Sequence, residues 1–158
     1  MMIDKKDLII IILALIIIAL LSMFAYDHMQ EERILYHTVN ITDTFSLDVP
    51  ISENVTKTQL SEHMHIVNDS QNNITITSFN LGNTSTMELI DDGYHYLATQ
   101  ESYKIGAEQI TLSNHTVWYN RKDNTYIAFF SPDDTNDNII IVCKDNETMA
   151  NMISSVKY

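Results

Sequence analysis

The stretch TYIAFFSPDDTNDNIIIVC, residues 125–143, decides the fold, because it holds two apolar segments joined by an acidic loop. Thr125–Ser131 and Asn138–Lys144 carry apolar side chains at successive positions, so both faces of an extended chain would be apolar. Strands of this kind lie in the middle of a sheet that is covered on both sides. Pro132 begins the loop between them. We therefore expect these two strands at the centre of a sheet, with other elements packed on both faces.

Four weaker strands are predicted in the N-terminal part of the domain, between residues 36 and 79. FSLDVP (45–50) alternates strictly between apolar and polar residues, which is typical of a half-buried strand. Tyr36–Ile41 is expected to pair with it, and Pro50 to begin a loop that runs to about residue 60. His63–Val67 and Asn73–Phe79 are expected to form the next strand pair, joined by the polar turn between them.

Two helices and two more strands complete the predicted domain. Ser85 and Glu88 match a capping box at the start of the first helix, and apolar residues at steps of three and four predict its buried face: Met87, Ile90, Tyr94 and Leu97. The strands Gln109–Leu112 and Thr116–Asn120 follow, and RKDN (121–124) forms a hairpin turn. Asp145 caps a last helix whose buried face is expected to hold Met149, Met152, Ile153 and Val156. The predicted fold class is therefore α+β, a largely antiparallel sheet packed with two helices.

An apolar segment, Leu8–Ala25, precedes this domain, with no charge and only Ser22 markedly polar. Eighteen helical residues span about 27 Å, close to the roughly 30 Å hydrocarbon core of a bilayer. A buried soluble helix would show a polar stripe. A cleaved signal peptide would have a shorter apolar region with a small-x-small site, whereas this one ends in Met23-Phe24-Ala25. We therefore predict an uncleaved transmembrane helix over residues 8–26.

The flanking charges predict the orientation of that helix. Lys5 and Lys6 lie before it, and Arg33 is the one basic residue among the twenty that follow Tyr26. Positive charge is retained on the cytoplasmic side of a membrane. We therefore predict a single-pass protein of the cell membrane with a cytoplasmic N-terminus (1–7), a polar stalk (27–35) and an extracytoplasmic α+β domain (36–158).

The charge of the chain restricts its partners. The net charge is −12, and the two lysines and two aspartates of residues 1–26 cancel, so the whole excess falls on the remainder. Such a surface repels phosphate backbones, so we expect no nucleic-acid partner. The single cysteine, Cys143, excludes an internal disulfide and is expected to be a buried strand thiol.

Asparagine acceptor triplets of the form N-x-S/T are frequent in the predicted external part. Seven occur, where random arrangement of the same residues would give about three. Turn-forming preferences of Asn, Ser and Thr explain part of the excess, so both interpretations remain open. The candidate glycosylation sites are Asn40, Asn54, Asn68, Asn73, Asn83, Asn114 and Asn146.

Two features invite a metal interpretation. His63 and His65 would share one face of a strand and could bind one Zn²⁺, Cu²⁺ or Ni²⁺ ion if Glu62 or His37 came near; the alternative is a solvent-facing histidine pair. DDTNDN (133–138) resembles the start of a calcium loop. It lacks the required Gly and Glu at positions six and twelve, which favours an ordinary acidic loop.

The usual catalytic motifs are missing from the sequence. There is no G-x-S-x-G, H-E-x-x-H or C-x-x-C, and three glycines leave no phosphate-binding loop, so we expect no enzyme and no cofactor. The first hypothesis is a membrane-anchored extracytoplasmic domain that binds an unknown protein, cell-wall material or small molecule. The alternatives are a metal-binding or sensing domain using His63 and His65, and a small accessory subunit of a membrane complex.

The predicted order of elements over residues 36–158 resembles the PsbP-like fold of photosystem lumenal subunits: a hairpin ending in FSLDVP, paired strands, a helix, a strand meander and a last helix. One anchor followed by one Asn-rich domain is also similar to small extracytoplasmic proteins of methanogenic archaea. The resemblance implies an accessory binding role rather than catalysis, and it assigns no functional residue.

Overall fold

The computed structural model describes residues 12–23, 34–81, 86–133 and 135–158, with the side chains of residues 86–90 left aside. The chain divides into two compact units, Met1–Ile34 and Leu35–Tyr158. In the first unit, residues 12–23 form helix α1, whose side chains are exposed along its whole described length. No helix among the described residues is both long and apolar enough to span a membrane. Residues 8–11 and 24–26 of the predicted span lie outside the described residues.

The second unit is α+β and its sheets are antiparallel, as predicted. A two-stranded sheet pairs β1 with β2, and a seven-stranded sheet has the order β3-β4-β5-β9-β8-β7-β6. The elements are β1 (Tyr36–Asn40), β2 (Ser46–Pro50), β3 (Val55–Gln59), β4 (Met64–Asp69), β5 (Ile74–Asn80), α2 (Thr86–Lys104), β6 (Glu108–Leu112), β7 (His115–Asn120), β8 (Thr125–Phe130), β9 (Asp137–Cys143) and α3 (Asn146–Ser154).

The two strongly apolar strands lie where the sequence places them. β9 is the middle strand of the seven, and β8 is its neighbour. Ile139 and Ile141 point to one face of the sheet and Ile140 to the other, and all three are fully buried. Hydrophobic burial on both faces explains why a polar residue is absent from Ile139–Val142, and the prediction of central strands is confirmed.

The first face of the large sheet is covered by α3 and by the β1–β2 hairpin. Phe45 and Leu47 enter the core from the hairpin, and Met149, Met152 and Ile153 enter it from α3. Asp145 caps α3, because its side chain accepts a 2.8 Å hydrogen bond from the backbone N–H of Thr148. The predicted cap is confirmed, and so are Met149, Met152 and Ile153 of the predicted buried face. Val156, its fourth residue, lies beyond the end of α3 and is partly buried.

The second face is covered by α2, but not through the predicted stripe. Tyr94 is 72 % exposed and Leu97 is 57 % exposed, whereas Tyr96 is buried and packs edge-to-face on Phe79 with a ring-centroid distance of 5.3 Å. The helix therefore turns Tyr96 and Tyr103 to the sheet, where they pack in one cluster with Phe79, Ile127 and Ile140. The prediction of Tyr94 and Leu97 as part of the buried face is wrong, and the side chains of Met87 and Ile90, its other two residues, lie outside the described ones. Ser85, the proposed cap, lies outside the described residues.

One strand was not predicted. β3 occupies residues expected to form a loop, and it is the edge strand beside β4. All five of its side chains are exposed, so its sequence, VTKTQ, carries no apolar alternation that a buried face would impose. Its hydrogen bonds to β4 nevertheless extend the sheet beneath the β1–β2 hairpin.

Candidate functional site

A cavity of about 240 Å³ lies between the β1–β2 hairpin and the edge of the large sheet. We call it the hairpin cavity. Seven aliphatic and four polar side chains line it: Val39, Ile41, Val49, Val55, Val67, Ile74 and Ile76, together with His37, Ser52, Lys57 and Asp69.

Strand alternation explains why these residues meet. Across the antiparallel ladders, Lys57 lies opposite Val67, which lies opposite Ile76, so these three share one face of the sheet. One step along, Val55, Asp69 and Ile74 form a second such row. The two rows make the floor of the hairpin cavity, at the part of the sheet nearest its free edge.

The hairpin supplies the opposite wall. His37 pairs with Val49, and Val39 pairs with Leu47, so alternate residues of β1 and β2 point toward the sheet. Leu47 is fully buried in the core, whereas Val39 and Val49 are only partly buried because they border the hairpin cavity. At its first residue, β2 is fixed to the C-terminal segment by backbone hydrogen bonds of 3.0 and 2.9 Å that Ser46 exchanges with Lys157.

Asp69 is the buried acid of the hairpin cavity, with 5 % of its surface exposed. Its Oδ1 accepts hydrogen bonds from Ser52 Oγ and from the backbone N–H groups of Gln71 and Asn72, and its Oδ2 accepts one from Asn72 Nδ2. Burial by itself would raise the pKa of this carboxyl. The hydrogen bonds from Asn72, Ser52 and Gln71 outweigh that effect and hold the pKa below its ordinary value. Asp69 is therefore an ionised carboxylate at neutral pH, and its oxygens are used in hydrogen bonds within the protein.

In contrast to the buried Asp69, two basic side chains of the hairpin cavity are exposed to solvent. Lys57 and His37 are both exposed at its rim. Among the residues that the structure describes, no acidic group forms an ion pair with Lys57, whereas Lys104 and Arg121 each have a carboxylate at 2.8 Å. The ammonium group of Lys57 thus leaves its three hydrogen-bond donors to solvent or a ligand.

The dimensions of the hairpin cavity suit a small apolar group. An apolar cavity of about 150 Å³ already accepts a benzene ring, and pockets for drug-sized ligands begin near about 300 Å³. A volume of about 240 Å³ therefore accommodates one ring with a short chain, or one large side chain of a partner.

The two histidines of the predicted pair differ in burial. His63 precedes β4 and its Nε2 is buried without a hydrogen-bond partner among the described residues, while His65 lies within β4 and is exposed. No group of three or more His, Cys, Asp or Glu side chains that could hold a metal ion occurs in the described part of the chain. Metal binding by His63 and His65 remains a prediction.

Two other predicted features have structural roles. Cys143 is fully buried in the core of the first face, and burial raises the pKa of its thiol to about 11, so the thiol is protonated and unreactive at neutral pH. Asp137, the fifth residue of DDTNDN, is 2 % exposed and accepts hydrogen bonds from Thr42, Thr44 and Asn80. It joins the β1–β2 turn to the start of β9. Asp134 of that loop lies outside the described residues.

The acceptor asparagines are accessible. The six that the structure describes, Asn40, Asn54, Asn68, Asn73, Asn114 and Asn146, all have exposed side chains, and Asn83 lies outside the described residues. Asn146 differs from the others because Thr148 of its triplet is buried in the first turn of α3. Exposure permits modification at each of the six, and glycosylation stays a prediction.

No protein-family model, curated protein or solved structure matches this chain. The proposed resemblance to the PsbP-like fold therefore stays a prediction.

Sequence reasoning missed the hairpin cavity, although it placed most of the strands that build it. The cavity depends on where a separate hairpin sits over the large sheet, which is a non-local relationship. One signal was present: Lys57 and Val55 alternate on a segment that was expected to be a loop. Recognition of that segment as a strand would have placed both side chains on the same face as Val67 and Asp69.

Proposed function

We propose that this chain is a membrane-anchored, extracytoplasmic binding domain and that the hairpin cavity is its binding site. The observation that carries the proposal is an apolar cavity whose aliphatic walls remain partly open in the free chain. Val39, Val49 and Val67 are partly buried, and Val55 is 39 % exposed. A ligand that covers such surface gains about 25 cal/mol for each Å² of apolar area removed from water.

The polar groups of the hairpin cavity favour binding over catalysis. Ser52 Oγ donates to Asp69 at 2.7 Å, and no histidine hydrogen-bonds this hydroxyl in the described part of the chain. A serine nucleophile needs a neighbouring base to accept its proton. Asp69 is surrounded by donors and its lone pairs are committed to them, so it is poorly placed to accept a proton from a substrate.

The anchoring part of the proposal rests on the apolar sequence of residues 8–26 and on the exposed apolar side chains of α1. We expect the full-length chain to resist alkaline carbonate extraction from membranes, and protease added to intact cells to degrade the domain after residue 35.

A double variant, Leu15→Lys with Ile18→Lys, should be extracted, since each charge at the centre of a membrane helix costs about 3 kcal/mol. A matched Leu15→Ile and Ile18→Leu variant should behave as the unaltered chain. Extraction of the unaltered chain by carbonate, or protection of the domain in intact cells, would overturn the anchoring proposal.

The binding part is tested with the full-length chain in lipid nanodiscs, titrated with 3-phenylpropan-1-ol and followed by methyl NMR. We expect shifts concentrated on the valine and isoleucine methyls of the hairpin cavity. Val55→Trp should block them by filling the cavity from its edge. Thr56→Trp is the matched control, because residue 56 lies on the same edge strand with its side chain on the opposite face. Shifts that survive Val55→Trp, or that are absent from the cavity, would overturn the site.

A further inference from the structure

We propose that the hairpin cavity is selective for a small amphiphilic carboxylate, whose apolar part enters the cavity and whose anionic end lies on Lys57. This inference rests on the proposed binding function and adds the chemical class of the ligand. It follows from three observations: the state of the acid at the cavity, the state of the lysine, and the spacing between the two.

The acid is already satisfied. Asp69 accepts four hydrogen bonds, from Ser52, Gln71 and Asn72, and these come from its own turn and from the segment after β2. A carboxylate with four donors gains little from a cationic ligand, because its oxygens are engaged and a new partner would displace existing bonds. The carboxylate of Asp69 is thus engaged by groups of the protein itself and is not offered to a ligand.

The lysine is not satisfied. Lys57 is exposed at the rim, and no acid lies in ion-pair range of it among the described residues. Its register opposite Val67 sets its stem beside the aliphatic floor. A ligand with an apolar body in the cavity would therefore carry its polar end past this ammonium group. An anion there gains a charge-assisted hydrogen bond that an alcohol of the same shape does not.

The spacing keeps such an anion away from Asp69. Asp69 lies opposite Val55, which is two residues before Lys57 on β3. Two residues of an extended strand span about 7 Å. The other acids among the described residues all lie beyond the 4 Å ion-pair range of Lys57. At physiological salt the Debye length is about 8 Å, so their repulsion slows the approach of an anion more than it opposes the short contact with Lys57.

The experiment compares two probes of equal shape, 3-phenylpropanoate and 3-phenylpropan-1-ol, on the full-length chain in lipid nanodiscs at about 0.15 M salt. We expect the carboxylate to bind about fivefold more tightly, the upper end of the range for an exposed ion pair. Lys57→Met should abolish that preference and change the affinity for the alcohol by less than about twofold. Salt at 0.5 M should weaken the carboxylate alone.

Lys122→Met is the matched control. Lys122 is an exposed lysine of the β7–β8 turn that does not line the hairpin cavity, so its loss changes the net charge equally and should leave the preference intact. Equal affinity for the two probes, or a preference that survives Lys57→Met, would overturn the carboxylate proposal and leave the binding site standing. Failure of both probes to bind, or binding that survives Val55→Trp, would instead overturn the proposed function.

Discussion

Ser52 Oγ donates a 2.7 Å hydrogen bond to Asp69 Oδ1 and thereby joins the segment after β2 to the end of β4. This hydrogen bond links the hairpin side of the cavity to its floor. It also contributes to holding the pKa of Asp69 below its ordinary value of 3.8.

Loss of this hydrogen bond should destabilise the domain in a pH-dependent way. We expect Ser52→Ala to lower the free energy of unfolding at pH 7 by about 1–2 kcal/mol, since the acceptor is a buried charge. A depressed folded-state pKa stabilises above the unfolded value and ceases to do so as the pH falls through the folded value. The difference from the unaltered chain should therefore shrink below pH 3.8. Urea unfolding followed by the fluorescence of Trp118, the single tryptophan, measures it.

Ser70→Ala supplies the comparison for that measurement, because Ser70 is exposed in the adjoining turn. Its effect should stay within about 0.5 kcal/mol at every pH. Equal losses in the two variants, or a Ser52→Ala loss that grows at low pH, would contradict the role given to Asp69.

The two sides of α2 should differ sharply in their sensitivity to truncation. Tyr96→Ala removes a buried ring that packs on Phe79, so we expect a loss of about 3 kcal/mol in the free energy of unfolding. Leu97→Ala, on the exposed side, should change it by less than about 0.5 kcal/mol. Tyr96→Phe removes the hydroxyl, with its 3.2 Å contact to Ser131 Oγ and the 3.5 Å hydrogen bond from Gln100 Nε2, and should cost about 1 kcal/mol. A larger loss in Leu97→Ala than in Tyr96→Ala would show that α2 buries the face through Tyr94 and Leu97 that the sequence predicts.

That stripe shows where sequence reasoning fails and why. Two stripes on α2 satisfy steps of three and four, one through Tyr94 and Leu97 and one through Gly93, Tyr96 and Tyr103. Hydrophobicity favours the first. The fold selects the second, because Tyr96 and Tyr103 pack in the cluster formed with Phe79, Ile127 and Ile140 of the sheet. A non-local packing contact thus prevails over local apolar content.

The central strands and α3 were predictable for the opposite reason. Ile139–Val142 admits no polar face, so it can lie only inside a covered sheet, and the Met149–Ile153 pattern after the Asp145 cap leaves one apolar face. β3 was not predictable from apolar pattern, because an edge strand exposed on every residue is under no such constraint. The hairpin cavity inherits that difficulty, since β3 forms its outer edge.

The cap of α3 should be worth a measurable part of the stability. Asp145→Ala removes the hydrogen bond to the Thr148 backbone N–H, and we expect a loss of about 1 kcal/mol in the free energy of unfolding. Asp145→Asn keeps an acceptor at the same position and should recover most of it. Asp123→Ala, an exposed aspartate of the β7–β8 turn, is the control and should be close to neutral. Losses of equal size in Asp145→Ala and Asp123→Ala would show that net charge, and not the cap, sets the effect.

Burial of Cys143 should couple stability to alkaline pH. Burial in the apolar core raises the pKa of the thiol from 9.0 to about 11. Below pH 9 the thiol is protonated in both folded and unfolded chains, whereas between pH 9 and 11 only the unfolded chain ionises and gains from doing so. The folded state should therefore lose up to about 2 kcal/mol relative to Cys143→Ala as the pH rises through that window.

Iodoacetamide labelling gives a second measurement: at pH 8 the native thiol should react at least about a hundredfold more slowly than the same chain in urea, since thiolate formation and access are both restricted. A stability difference that stays constant from pH 8 to 11, together with native-state labelling as fast as in urea, would show that the thiol is accessible and that this assignment to the core is wrong.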